Sequence, residues 1–411
     1  MNSLEYKNNK LIFDNVDLSE RCKKYITPFY IYSENLIRKN IHEYMANAND
    51  MTLFCYSVKA NSNLSILKII ASEGMGFDVV SKGELYRAIK AGADTKKIVY
   101  SGVGKTRDEI KYALANDILC FNIESESELH ALNEQAALMN CSAPVSIRVN
   151  PDVSVKTHPY ISTGMKENKF GIAYSDALSV YKKASTLSNI KVIGIDFHIG
   201  SQITTIDPYI DSVNSIKKLI TALNKENITI SHIDLGGGLG INYDNDIIIK
   251  KSLYTKTLID SLSDANARII FEPGRSIIGD CGLLVTKIEY VKETSSKNFM
   301  IVDASMSELI RPPLYDAYHK ITPVIKNEKE HKLYDIVGPV CESADFLGKD
   351  RKLNSIESEL LVIEDVGAYG FVLSSNYNTR PRPAEYLITD GEINEIRSRD
   401  TLDQIISNES Q

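Results

Sequence analysis

Lys59 closes the apolar run Leu53-Phe54-Cys55-Tyr56-Ser57-Val58 and is followed by Ala60-Asn61. A lysine amine at the end of a strand can condense with an aldehyde cofactor to a Schiff base. Other reactive side chains recur in comparable places. Asp78, Ser101, Glu124, Arg148 with Asn150, His198, and Glu272 with Arg275 each fall just past a strand-like run, as do the glycines Gly236–Gly238. The stretch Gly236-Gly237-Gly238-Leu239-Gly240 lets backbone N–H groups approach a phosphate closely, and its spacing departs from the dinucleotide-binding G-x-G-x-x-G pattern. Glu272-Pro273-Gly274-Arg275 supplies a carboxylate that can keep a pyridine nitrogen protonated and so make the ring a better electron sink. In Phe197-His198-Ile199-Gly200-Ser201-Gln202, His198 can stack on a flat ring and Ser201 can bind phosphate.

Each of these has a plainer reading: a solvated loop lysine, a flexible glycine turn, an acidic strand end, a histidine satisfied by backbone. Ser101 and Glu124 read equally well as turn residues. Taken together, a lysine, a phosphate loop, a carboxylate for a ring nitrogen and a stacking histidine describe a site for pyridoxal 5'-phosphate.

The elements that must position these residues form a repeating unit. Leu53–Val58, Phe77–Val80, Ile98–Tyr100, Ile118–Ile123, Val145–Val149, Val192–Phe197, Ile230–Leu235 and Ile269–Phe271 read as strands, with helical patterns after most of them. Ser81–Glu84, Thr106–Glu109 and Ser125–Glu128 have the spacing of capping boxes. Eight alternating β and α runs predict a (β/α)8 barrel, whose chemistry gathers at the C-terminal ends of the strands. A doubly wound sheet is the rival, and it more often stops at five to seven strands. After Gly279 helical periodicity becomes scarce, while Leu283–Lys292, Asn298–Val302, Leu333–Val337, Leu360–Asp365 and Glu385–Thr389 are strand-like. The expected division is a barrel over 26–280 and an all-β domain from 281–411 joined by 1–25, where Leu11–Phe13 is strand-like.

Composition narrows the class. The chain has 411 residues, 43% hydrophobic and 25% charged, which suits two soluble domains with a large core. A net charge of -7 with scattered basic residues argues against a nucleic-acid partner. No basic segment followed by an apolar stretch opens the chain, and no apolar run is long enough for a membrane span. The six cysteines are widely spaced with no CxxC pair, which fits free thiols and a cytoplasmic setting and predicts no metal site.

The motifs also carry a resemblance. Tyr56–Asn61, Thr157-His158-Pro159-Tyr160-Ile161-Ser162-Thr163-Gly164 running to Lys169-Phe170-Gly171, and the His198, Gly236 and Glu272 stretches resemble the fold-type III pyridoxal-phosphate decarboxylases. So do Arg311-Pro312-Pro313-Leu314-Tyr315-Asp316-Ala317-Tyr318-His319, Gly338-Pro339-Val340-Cys341-Glu342-Ser343-Ala344-Asp345 and Gly367-Ala368-Tyr369-Gly370-Phe371. The resemblance implies an α/β chain with a TIM-like, alanine-racemase-like barrel followed by an all-β domain. It implies a pyridoxal-phosphate enzyme that converts meso-2,6-diaminopimelate to L-lysine and CO2, the last step of lysine synthesis. It also implies a homodimer whose subunits share their active sites.

Carried over by position, the resemblance makes Lys59 the cofactor's anchor, stacks His198 on the ring and pairs Glu272 with its nitrogen. Asp78, Arg148, Ser201, Gly237, Gly238, Pro273, Gly274, Arg275 and Tyr369 join them around the cofactor. Arg275, Arg311, Tyr315 and Tyr369 would bind substrate, with Cys341 as proton donor and Glu342 on the distal ammonium, these last two from the partner subunit.

Decarboxylases of ornithine, lysine or arginine would leave Arg311 without a carboxylate to read. A racemase would need a tyrosine base and no Cys341–Glu342 pair. A non-catalytic regulator would lack the lysine or the cysteine, and a single-barrel cofactor-homeostasis protein would lack the second domain. One departure from the family pattern is Glu308, where a shorter polar or acidic residue is expected, near the segment that sets substrate length.

Overall fold

Eight parallel strands in the middle of the chain close on one another. They are Thr52–Ser57, Gly76–Val79, Ile98–Tyr100, Cys120–Ile123, Ala143–Asn150, Ile190–Asp196, His232–Asp234 and Arg268–Phe271. Ala143–Asn150 pairs with Cys120–Ile123 on one side and Ile190–Asp196 on the other, and Arg268–Phe271 returns to Thr52–Ser57. This is the (β/α)8 barrel expected from the sequence, seen in a computed structural model. It describes residues 4–151, 169–244, 246–328 and 330–409, and Thr157–Gly164 lies outside them.

Strands of a closed parallel barrel are covered on both faces, so they read as continuous apolar runs rather than alternating ones. All four residues of Cys120–Ile123 and of Gly76–Val79 are buried, for example. The helices between them bury one stripe each: Leu64–Ser72, capped by Asn63, turns Ile66, Leu67, Ile69 and Ile70 inward. Of the three expected capping boxes only Thr106–Glu109 is reciprocal. Ser81 and Ser125 do cap their helices, but Glu84 and Glu128 each accept from the N–H one residue further back, those of Val80 and Glu124. The carboxylates thereby tether strand ends as well as helix starts, each cap contributing about 1 kcal/mol.

The chain divides into two compact units, Asn40–Ile241 with Ile247–Ile277, and Met1–Lys39 with Asn242–Asp246 and Ile278–Gln411. The second is β-rich. Its main sheet runs Phe346–Leu353, Lys332–Val337, Asn298–Val302, Gly282–Glu293, Phe29–Ser33, Ala384–Thr389, Glu392–Arg397. Leu360–Ile363 also pairs with Gly282–Glu293. Phe29–Ser33, placed in the barrel by the sequence reading, instead sits in this sheet between Gly282–Glu293 and Ala384–Thr389. Leu11 and Phe13 pack into the same unit's core with Phe29, Ile31, Leu283 and Val362, and the Leu11 N–H donates to the Val324 carbonyl at 2.9 Å. Among the described residues no helix is long and apolar enough to cross a membrane.

Candidate active site

The strand ends converge on one cavity of about 450 Å³, lined by Lys59, Ser101, Arg148, Asp196, His198 and Glu272 among others. Lys59 follows Thr52–Ser57 in a short 3-10 turn, and its Nζ donates to Asp78 Oδ2 at 2.5 Å. Asp78 is fully buried on the next strand and also accepts from Ser57 Oγ at 2.9 Å. Burial alone would raise the Asp78 pKa, but the Lys59 ammonium and these hydrogen bonds hold it below the usual carboxylate range. Ser57 Oγ lies 3.0 Å from the Glu272 carbonyl, and the Ser57 N–H donates to Pro273 O, so the first and eighth strand ends are tied together. At Gly274 an added Cβ would lie 3.0 Å from Ser57 Cβ and 3.2 Å from Ala60 Cβ, so the turn after Glu272 packs directly on the turn that carries Lys59.

Beneath the lysine lies an acidic floor. Asp196, Asp234 and Glu272, all buried, bring carboxylate oxygens within 4.8 Å of one another. Two unit charges at that range repel by roughly 3–4 kcal/mol at an effective dielectric of about 20, so three cannot all ionise unaided. Burial first, and then Asp234, push both Glu272 and Asp196 well above the ordinary range, while burial carries Asp234 to about 6. Asn122 Nδ2 lies 3.5 Å from both Asp234 Oδ2 and Glu272 Oε1, and 3.1 Å from Ser101 Oγ. The Arg148 guanidinium is 3.9 Å from Asp196 and donates to Glu124 at 2.8 Å. Glu124, for which the sequence left a turn role open, thus holds Arg148, and it also accepts from the N–H groups of Gly102 and Gly171.

His198 Nδ1 accepts from the Gly237 N–H at 3.2 Å, which leaves the ring hydrogen on Nε2. Burial, Arg148 and Lys59 push its pKa down to about 3. The ring should therefore stay neutral: nitrogen chemical shifts of His198 are expected to be flat from pH 8 to pH 5, and an inflection near 6.5 would contradict this arrangement. Beside it the glycine loop is packed too tightly for side chains. A Cβ at Gly237 would sit 2.2 Å from the Glu272 carbonyl oxygen, and at Gly238, where φ is +108°, 2.4 Å from Gly200 O. Arg275 Nη2 donates to Ser201 Oγ at 3.1 Å.

Residues 34–279 match the pyridoxal-binding domain of the pyridoxal-dependent decarboxylases. A diaminopimelate decarboxylase of Vibrio cholerae is 48% identical over 406 residues, spanning 98% of this chain and 97% of the relative. One from Pseudomonas aeruginosa is 46% identical across 100% of this chain and 99% of its own. This chain belongs to the diaminopimelate decarboxylase family. The structure of the Helicobacter pylori family member complexed with L-lysine superposes with a TM-score of 0.91 at 40% identity, covering 95% of this chain and 98% of that one. The M. jannaschii member, also with L-lysine, gives 0.94 at 36% identity, covering 100% and 98%.

The family's cofactor is pyridoxal phosphate, and the cavity fits it. An amine stands at the wall, a backbone cradle admits no side chain, and a surplus of buried carboxylate calls for a cation such as a protonated ring nitrogen. Asp196 Oδ1 has no hydrogen-bond partner among the described residues, as expected of a floor awaiting positive charge.

Lys59, Asp78, Arg148, His198, Ser201, Gly237, Gly238, Glu272, Pro273, Gly274 and Arg275 all belong to the barrel unit, and Arg311, Tyr315, Cys341, Glu342 and Tyr369 to the β-rich unit. Arg311 is buried, opens the helix Arg311–Tyr315 and stacks 5.0 Å from the Tyr243 ring. Cys341 and Glu342 are exposed, on a loop whose Asp345 accepts from the N–H groups of Val340 and Met306. Tyr369 has φ +56°, a left-handed conformation that costs a non-glycine residue about 1 kcal/mol or more and tends to mark functional turns. Glu308 is buried, and its carboxylate accepts from both the N–H and the hydroxyl of Ser305, so it closes a local turn.

The sequence reading passed over Asp196, Asp234 and Asn122. Their signal is a polar residue one position before the end of the expected strand, in runs that are otherwise apolar at Asn122 and Asp196 but not at Asp234.

Proposed function

We propose that the chain decarboxylates meso-2,6-diaminopimelate to L-lysine and CO2, acting as a cytoplasmic homodimer. The observation that carries this is the meeting of Lys59, His198, Asp196 and Glu272 in one cavity, with the glycine loop packed against the Glu272 backbone, in a chain related over its whole length to diaminopimelate decarboxylases.

Bound pyridoxal phosphate supplies an electron-accepting ring that takes up the charge left when CO2 departs. The protein's part is placement and electrostatics. Asp78 and Ser57 fix the Lys59 amine where the cofactor is attached. Glu272, with Asp234 and Asp196 behind it, favours a proton on a basic ring nitrogen, and the neutral His198 offers a flat face without adding a competing charge. Ser201, Gly237, Gly238 and Arg275 hold the phosphate. Arg275, Arg311 and Tyr315 read the substrate's distal carboxylate, and Tyr369 contributes from its strained turn. The partner subunit supplies Glu342, which meets the distal ammonium, and Cys341, which returns a proton to the carbon that lost CO2. A diamino acid without the distal carboxylate would offer this buried arginine no anion to read, which is the basis of selection.

The test is release of CO2 and L-lysine from meso-diaminopimelate by the holoenzyme, with L-lysine and L-ornithine run alongside as substrates. Faster turnover of either monocarboxylate would reject the assignment. Arg311→Ala is expected to raise KM for diaminopimelate about 30-fold or more, since truncating a partly buried arginine–carboxylate contact costs roughly 2–5 kcal/mol, while cofactor retention is unaltered. An unchanged KM would mean that the distal carboxylate is read elsewhere.

A further inference from the structure

Arg311 is held by a neighbour whose chemistry is informative. Its Nη1 lies 2.7 Å from His319 Nε2 and 3.2 Å from the Tyr243 hydroxyl. His319 is fully buried, and its other nitrogen, Nδ1, lies 2.9 Å from the backbone carbonyl oxygen of Glu364. Arginine can only donate and a carbonyl can only accept, so Nδ1 carries the hydrogen and Nε2 offers its lone pair: a single tautomer of the neutral imidazole satisfies both contacts. Tyr243 packs edge-on against that ring, with centroids 5.2 Å apart and planes at 82°. The Glu364 backbone is itself anchored, its N–H donating to Lys320 O at 2.9 Å just past the strand Leu360–Ile363. Orientation is thus passed from a sheet strand through the imidazole to the guanidinium.

The choice of residue matters. A carboxylate at position 319 would fix Arg311 equally well but would neutralise it. A neutral imidazole fixes the guanidinium without itself adding a negative charge beside it.

We infer that His319 is a positioning residue that holds Arg311 ready for a ligand carboxylate and so sets the preference for carboxylate-bearing ligands. This rests on the reading of Arg311 as the reader of the distal carboxylate. That group survives the reaction as the carboxylate of L-lysine, so L-lysine and 1,5-diaminopentane, the same molecule without it, form the probe pair.

The holoenzyme is titrated with each ligand, following the cofactor's visible absorbance and, independently, the heat of binding. His319→Asn keeps a donor for Glu364 O but is too short to reach Arg311. It is expected to weaken L-lysine roughly 10- to 100-fold, the scale of losing a hydrogen bond to a charged group, and to leave diaminopentane unchanged. KM for diaminopimelate should rise in parallel, with kcat much less affected. His319→Gln carries an acceptor oxygen far enough to meet Arg311 and should recover most of the preference. His319→Met, which fills the space without an acceptor, serves as the second variant and should behave like His319→Asn.

Arg311→Ala sorts the outcomes. If it leaves the ratio of the two affinities at the wild-type value, the reading of Arg311 fails and this inference falls with it. If it collapses the ratio while His319→Asn and His319→Met do not, the inference alone is overturned. Equal weakening of both ligands by the His319 variants would mark a general packing role and also overturn it.

Discussion

Lys59→Ala is expected to abolish the visible absorbance of covalently attached cofactor and to lower decarboxylation by about three orders of magnitude or more, because attachment and release both need that amine. The structure makes substitution by another lysine difficult, since the amine is fixed by a fully buried carboxylate, Asp78, at 2.5 Å. The fold should tolerate the change at neutral pH. Lys59 holds the Asp78 pKa down, so its contribution to stability is present above the unfolded carboxylate value and is lost as pH falls through the lower folded value. Without Lys59 the buried carboxylate simply takes up a proton, at a moderate cost in melting temperature. The measurement is borohydride reduction followed by dialysis and peptide mapping. Retention of a reduced adduct on any other lysine would mean that the anchor has been misplaced.

The barrel was legible because its signal is local. Each strand is a short apolar run with a helix start behind it, and all eight expected runs begin within two residues of the observed strand start, Ile98–Tyr100 coinciding with it. The C-terminal ends of those runs led directly to Lys59, His198, the glycines and Glu272. Phe29–Ser33 was missed for a physical reason. All five residues are buried, so the strand shows no alternation, and its partners Gly282–Glu293 and Ala384–Thr389 lie far along the chain. No periodicity within the segment reveals which sheet will take it.

The same limit applies to chemistry. That Glu124 grips Arg148, that Asn122 stands between Asp234 and Glu272, and that His319 and Tyr243 hold Arg311 are contacts set by the tertiary fold, all but the Arg311–His319 pair between residues distant in sequence. A single sequence displays residue types at strand ends; it does not display which of two carboxylates shares a cavity floor or which histidine faces a guanidinium. Glu308 shows a local contact that its residue type alone did not announce. Met306-Ser307-Glu308 is a departure near substrate-reading residues, and the Glu308 carboxylate accepts from Ser305, three residues away in the same turn.

Mixing inactive Lys59→Ala chains with inactive Cys341→Ala chains is expected to restore activity. Lys59 and His198 belong to the barrel unit, while Cys341 and Glu342 stand on an exposed loop of the β-rich unit, and our proposal takes the two sets from different subunits of a dimer. A random mixed dimer then gathers both lesions in one site and neither in the other. With half of the dimers mixed and one good site in each, recovery should reach about a quarter of wild-type activity, a direct consequence of two-fold pairing. Each variant alone must stay near background, and subunit exchange can be driven by mild denaturant and refolding. The fraction of mixed dimers is read by native mass spectrometry of differently tagged chains, so that activity is compared with a known population. A scale of recovery that tracks that fraction requires a proton donor reaching across the subunit boundary. Mixed dimers that form and remain inactive would place Cys341 and Lys59 of one chain in the same site, and the assignment of Cys341 to the partner would have to be withdrawn.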